Sequence, residues 1–293
     1  MPITAISGGT ETTKVIGDVS TGLFPQPLHP NVETFLAQLS ANSFNATRAQ
    51  ADALNNLVWS LVGIQIWSKM KIVYPMIGGT AATHKFNLVD PRDADAAFRL
   101  TFSGTWTHNS DGAKGDGTSA WADTYLVPGT SLTTTSGHMS YYSRIQGQEP
   151  DDIEMGCQNA TTTITTLVIA RSTTNLSSFR FGVSSATPNA SPTLSGTSTQ
   201  GLFLGVQNGS GVNDRNIYRN GVKGTTGLGA GTPTLPATAK LALNAINTNT
   251  TTRANFSSKQ CAFASVGDGL TDLEVQNFYT IVQAYQTALG RQV

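Results

Sequence analysis

The chain has 293 residues, 18 Lys+Arg against 18 Asp+Glu for a net charge of zero, and a charged share of only 12%. So neutral a chain has no electrostatic footprint for nucleic acid or an anionic membrane surface, which excludes those partners. At this length a fold buries about three quarters of its unfolded surface, so neither disulfides nor a metal is needed to hold it together.

Charge is replaced by hydroxyls and turn formers: 41 Thr, 29 Gly and 12 Pro. Thr is β-branched and suits a half-buried pleated surface. This composition predicts a mainly β protein kept soluble by neutral hydrogen bonding. Cys157 and Cys261 do not make a disulfide framework. Buried free thiols are expected, with pairing left open in case their strands adjoin. The start of the sequence has neither a basic nor an apolar signal region, so synthesis in a host cytoplasm without a cleaved leader is expected. The longest apolar stretch, Leu57 to Trp67, is interrupted by Ser60, Gly63 and Gln65 and is too short to span a bilayer.

In chain order, residues 1 to about 30 read as an extended arm, because Pro25, Pro27 and Pro30 fix φ and remove donors. Val15-Ile16, Val19 and Leu23-Phe24 are apolar enough to suggest docking on a partner. A short helix is expected from Asn31 as N-cap through Leu39. A better-marked helix starts with the capping box Thr47/Gln50, carries Leu54, Leu57, Val58, Leu61 and Ile64, and should run to about Lys71, before Pro75. Strands are expected at 98–102, 139–145, 165–170, 178–183, 202–206, 241–246 and 260–266. Asn220-Gly221 inside 216–223 is a hairpin signal. The segments 184–200 and 224–232 read as loops. A last helix opens with the capping box Thr271/Glu274, puts Leu273, Phe278, Val282, Tyr285 and Leu289 on one face, and ends at Gly290. The domains drawn are an extended N-terminal arm at 1–45, a helical segment at 46–75 and a sandwich at 76–293. The fold class is a mainly β, two-sheet antiparallel jelly roll with a preceding helix, a C-terminal helix and that arm.

Several long segments, in order, carry a resemblance: 67–80 (WSKMKIVYPMIGGT), 84–93 (HKFNLVDPRD), 95–102, Trp106-Thr-His108, 138–144 (HMSYYSR) and 278–293. Together they resemble concanavalin A-like (laminin G-like) jelly-roll virion proteins of Bacteroidetes-infecting tailed phages. The resemblance implies a head-fibre, spike or tail-appendage subunit: a lectin-like jelly roll held on capsid or tail by its N-terminal arm. Its implied partners are other virion proteins, further copies of itself (a trimer ahead of a dimer) and a host-surface polysaccharide. A jelly roll alone does not establish glycan binding.

The alternative is a polysaccharide hydrolase on the same fold. Enzymes resembling the laminarinase group set carboxylates at alternate strand positions, and retaining hydrolysis needs two carboxyls about 5–5.5 Å apart. The nearest run here is Glu149-Pro150-Asp151-Asp152-Ile153-Glu154. Asp152 and Glu154 share a face, but Pro150 stands where the first Glu would be, and the chain holds five Glu in all. No catalytic residue is assigned and the chain is read as a non-enzyme. No cofactor is expected, although Asp90, Asp93 and Asp95 in one loop and Asp111 and Asp116 in another are calcium candidates; neither loop fits an EF-hand. An Asp/Arg network with Arg92 and Arg99 is the simpler reading of the first. The histidines at 29, 84, 108 and 138 have no metal spacing. Trp106 with His108, Trp121 and the pair Tyr141-Tyr142 are the aromatics a sugar would stack on, with one tyrosine of the pair facing in. No binding site is assigned.

Overall fold

The computed structural model describes residues 26–147, 152–159, 163–169, 175–184, 192–210, 214–226, 233–249 and 252–293. Its elements begin with α1 (Pro30–Ala41), α2 (Arg48–Gly63), β1 (Met70–Tyr74), α3 (Ala81–His84), β2 (Thr101–Ser103), β3 (Trp106–Asn109), β4 (Gly112–Gly115) and β5 (Trp121–Asp123). They continue with α4 (Pro128–Ser131), β6 (Ser136–Ser143), β7 (Met155–Gln158), β8 (Thr163–Val168), β9 (Leu176–Ser184), β10 (Thr193–Ser195) and β11 (Gly201–Asn208). The last are β12 (Arg215–Arg219), β13 (Val222–Thr226), β14 (Ala242–Leu243), β15 (Ile246–Thr248), β16 (Thr252–Ala254), β17 (Gln260–Gly267) and α5 (Asp272–Ala288).

Two sheets stack as expected. The middle sheet has the order β13-β12-β11-β6-β17-β4-β3, with β1 added on β17. The outer sheet runs β10-β9-β8-β7-β14-β5-β2, with β15 and β16 attached through β7. Pairing is antiparallel apart from the short β15–β7 contact. One apolar core lies between the sheets and includes Met139, Tyr141, Phe179, Phe181, Phe203 and Ala264. A second lies on the other face of the middle sheet, where Leu202, Leu204, Tyr142 and Phe263 meet α1, α2 and α5. The protein is therefore three layers: helices, middle sheet, outer sheet.

This layering explains the texture of the middle strands. Leu202, Leu204 and Val206 face the helices while Phe203 faces the outer sheet, so the strand is apolar throughout, as a sheet covered on both faces requires. Gly205 lets the Phe179 ring lie against bare backbone: a Cβ there would sit 2.1 Å from it. A bulge between Cys261 and Phe263 turns both Ala262 and Phe263 toward the helices. Cys157 and Cys261 are buried free thiols on opposite sheets.

Both capping boxes form as read, and the Asn220-Gly221 hairpin turns with φ of 50° and 75° at those residues. Other expectations are corrected. The α1 N-cap is His29, whose ring accepts from the Asn31 N–H, and Pro30 takes the first helical position. Within the segment drawn as an arm at 1–45, residues 30–41 are this helix, with Val32, Phe35 and Leu39 in the core; residues 1–25 lie outside the described set. α2 stops at Gly63 rather than near Lys71, because Gln65 adopts φ 62° and the Ile66 N–H turns back to the Leu61 carbonyl at 2.9 Å. Met70–Tyr74 is freed to pair with β17. Phe98 is left-handed at φ 58° and precedes β2 rather than starting it. On α5, Val275 is buried and Leu273 is exposed. Among the described residues no helix is long and apolar enough to cross a membrane.

Candidate functional site

Asp152 and Glu154 do come together, as their spacing suggested, but Lys259 fills the space between them. Its Nζ donates to Asp152 Oδ2 at 2.6 Å and lies 3.3 Å from Glu154 Oε1. The Ser257 hydroxyl donates to Glu154 Oε1 at 3.0 Å, and the Ile169 N–H reaches Glu154 Oε2 at 2.6 Å. The Asn244 amide ties down the Ser257 and Lys259 carbonyls, and Tyr141 donates its hydroxyl to the same cluster. Lys259 and Asp152 are 1% exposed and Glu154 0%. Burial drives the Glu154 carboxyl up, Lys259 only partly offsetting it. Burial likewise works to lower Lys259, yet its two carboxylate neighbours leave it above the usual lysine range. A buried carboxyl pair filled by an ammonium is not poised to receive a sugar. Glu149, Pro150 and Asp151 lie outside the described residues.

The calcium candidates have protein partners. Asp90 holds Arg92, Asp93 holds Lys85 and Arg99, and Asp95 holds Arg99. Asp111 faces Arg144 at 3.3 Å. Asp116 closes a turn by accepting from the Thr118, Ser119 and Ala120 N–H groups; burial opposes its ionisation, but these bonds hold it well below the usual range. Among the described residues no three His, Cys, Asp or Glu side chains gather as metal ligands.

The structure brings together two histidines that sequence spacing left apart. His84 Nε2 accepts from the Gly79 N–H at 3.1 Å, so neutral His84 carries its proton on Nδ1, 3.0 Å from His108 Nδ1. His108 is then the Nε2–H tautomer. It stacks on Trp106 at 5.9 Å, with Phe102 edge-on, and this cluster plugs one open edge of the sandwich. Trp121 is half-buried, with the Arg253 guanidinium 4.0 Å over its ring. Tyr141 and Tyr142 are both buried, one in each core: Tyr141 faces in between the sheets, as expected of one of the pair, and the helices cover the face on which Tyr142 lies.

The opposite edge stays open. There β10 and β13 lean together, Thr225 Oγ donating to the Thr193 carbonyl and accepting from its N–H, both at 2.9 Å. Gly224 permits that approach, since a Cβ would lie 2.5 Å from the Thr193 oxygen. Beside this contact is a cavity of about 350 Å³ lined by Leu194, Phe203, Val222, Ser195, Ser198 and Arg219, among others. Phe203 is a buried floor, and Val222 is 69% exposed. Arg219 lies over the Phe203 ring, donating Nε to the Gln200 carbonyl at 3.0 Å and Nη2 to Ser198 Oγ. Desolvation lowers its pKa. Asn220 is pinned at the rim by the Leu202 N–H at 2.8 Å. An apolar floor with a few convergent polar groups is the usual constitution of a small-ligand site. Sequence reasoning missed it: no motif links β9, β10, β11, β12 and β13, and only the Asn-Gly turn marked one wall.

No protein-family profile matches the chain, and no curated protein matches it in sequence. Solved structures do resemble it. Domain 4 of an extracellular arabinanase from Geobacillus stearothermophilus, solved with arabinotriose, aligns over 72% of this chain and 98% of its own, at 15% identity and TM-score 0.49. A Trypanosoma rangeli sialidase variant displaying trans-sialidase activity aligns over 81% of this chain and 38% of its own, at 9% identity and TM-score 0.44. The receptor-binding domain of botulinum neurotoxin type G aligns over 73% of this chain and 52% of its own, at 10% identity and TM-score 0.39.

Proposed function

We propose that the protein is a particle-borne adhesion subunit that binds a surface saccharide in the edge cavity and does not hydrolyse it. The observation that carries this reading is the cavity itself. Above the buried Phe203, Leu194 and the exposed Val222 offer an apolar surface to the C–H face of a sugar ring, while Arg219, Asn220 and the serines at 195 and 198 offer hydrogen bonds to its hydroxyls. Among the described residues, none that lines the cavity is a carboxylate. The only close Asp/Glu pair suggested by the sequence is buried against Lys259. These points favour binding over hydrolysis.

The particle setting rests on the resemblance carried by residues 67–102, 138–144 and 278–293 and on the Thr-rich, nearly uncharged composition. In this reading residues 1–25 provide attachment to capsid or tail, and the subunit is a homo-oligomer, a trimer ahead of a dimer. A glycan array including host capsule fragments tests the binding. The expected result is a saccharide preference that Arg219→Ala weakens 10–100-fold, about 1.5–3 kcal/mol for a charged hydrogen bond, while the melting temperature stays near that of the parent. A parent protein without any saccharide preference overturns the reading. Electron-microscopic localisation of the full chain and of a chain lacking residues 1–25 tests the particle setting: only the full chain should join particles.

A further inference from the structure

The buried cluster at Lys259 has more chemistry in it than an ion pair requires. The segment entering β7 in the outer sheet meets the residue that leads into β17 in the middle sheet, so Lys259 and Asp152 span the two layers. A primary amine sits 2.6 Å from a carboxylate oxygen, and a second carboxyl lies 3.3 Å from the same nitrogen. All three side chains are 1% exposed or less, so bulk water is kept from them. An amine, a carboxyl and a proton carrier fixed in a dry site are the parts of an amide condensation. Fixed positioning of this kind is worth effective concentrations of roughly 10⁵–10⁸ M.

We propose that Lys259 and Asp152 condense spontaneously into an intramolecular isopeptide bond, with Glu154 as the catalytic acid–base. A proton first passes from the Lys259 ammonium to the Asp152 carboxylate along their hydrogen bond, leaving a neutral amine and a neutral acid. The Nζ lone pair then adds to Asp152 Cγ and forms the C–N bond. Glu154 gives its proton to the departing hydroxyl and takes one from Nζ in exchange; the C–O bond breaks and water leaves. Ammonium plus carboxylate becomes amide plus water, and Glu154 ends as it began. Its Oε2 is held by the Ile169 N–H, so Oε1, which faces both Ser257 and Lys259, is the oxygen that exchanges protons. Burial keeps the Glu154 carboxyl in its acid form more than is usual, which suits that role. The product also removes two buried charges whose desolvation is costly. The inference stands independently of saccharide binding, because the cluster and the edge cavity share no residue.

The test is the intact mass of the full, denatured chain together with peptide mapping. The expected result is a chain lighter than its sequence by one water and a branched peptide joining residue 152 to residue 259. Lys259→Arg keeps the charge without the primary amine and should give the full mass. Asp152→Asn should release ammonia instead of water and end at the mass of the parent product. Glu154→Gln should leave most of the chain unlinked. A folded parent chain of full mass, with positions 152 and 259 in separate linear peptides, overturns the proposal. Where a variant does not fold, the parent's mass alone decides.

Discussion

Lys259 and Arg219 are both cations set into this sandwich, and they differ in what surrounds them. At Lys259 both sheets, a serine and two carboxyls close over the ammonium, leaving it 1% exposed. At Arg219 the guanidinium lies over Phe203 at the rim of a 350 Å³ cavity, bonded to a carbonyl and a serine hydroxyl but to no carboxylate that the structure records. The first arrangement satisfies itself and has no room for a ligand. The second leaves polar groups and the exposed Val222 side chain facing open space. A pair of acids that looks hydrolytic in sequence can thus be closed to any sugar, while an open cavity forms where the sequence shows no acid at all.

Removing each cation separates the two most sharply. Lys259→Met leaves Asp152 and Glu154 buried without their cation, and with no amine to join to Asp152, and should cost at least about 3–5 kcal/mol, read as a lower urea midpoint. Arg219→Ala at the open edge should change stability by less than about 1 kcal/mol in the same assay, since solvent can replace its partners. Equal effects would erase the distinction.

The pH response sharpens it next. His138 is sealed under α5, its Nδ1–H donating to the Asp268 carbonyl at 2.7 Å and Nε2 3.1 Å from the Ser265 hydroxyl, with the Phe278 ring 6.1 Å away. Burial pushes it down from 6.5 to about 4, Lys69 adding slightly and Asp268 and Glu274 opposing. Between those values the unfolded chain binds a proton that the folded chain refuses, so the stability this residue contributes above pH 6.5 is lost as pH falls toward 4. The loss is on the order of 3 kcal/mol. Glu154 titrates in the opposite sense over part of this range, so the readout is the difference between the parent and His138→Gln, which should narrow from pH 7 to pH 4. A difference independent of pH would contradict the sealed, neutral imidazole.

Much of the fold was legible because it is written locally. Thr47 with Gln50, Thr271 with Glu274, and Asn220-Gly221 each fix a terminus or turn through bonds spanning a few residues. What the sequence hid depends on distant partners. Met70–Tyr74 continues the apolar run of α2 and becomes a strand only because β17 stands beside it. β3, β4 and β5 are short, and Gly112–Gly115 carries no strand pattern of its own. Lys259 in Ser-Ser-Lys-Gln-Cys gives no hint of a carboxylate 107 positions earlier. The edge cavity is drawn from five strands and their turns, so no window of sequence contains it.

The smallest expected effect lies at the mouth of that cavity. Thr225 is exposed, and its hydroxyl joins the edges of the two sheets through the Thr193 N–H and carbonyl. Thr225→Val keeps the shape and β-propensity but removes these two bonds and the 3.0 Å contact with the Thr193 hydroxyl. Water can reach the freed groups, so the cost should be no more than about 1 kcal/mol. At Lys259 no water is available to take over, which is why the same kind of deletion is expected to be several times dearer there. The informative readout is therefore hydrogen exchange rather than melting. The Thr193 amide should lose protection in Thr225→Val while the amides of β6 and β17 keep theirs, because that edge opens locally without unfolding the paired centre. Loss of protection through β6 as well would mean that the edge is part of the cooperative core, and that the cavity is held open as rigidly as the Lys259 cluster is held shut.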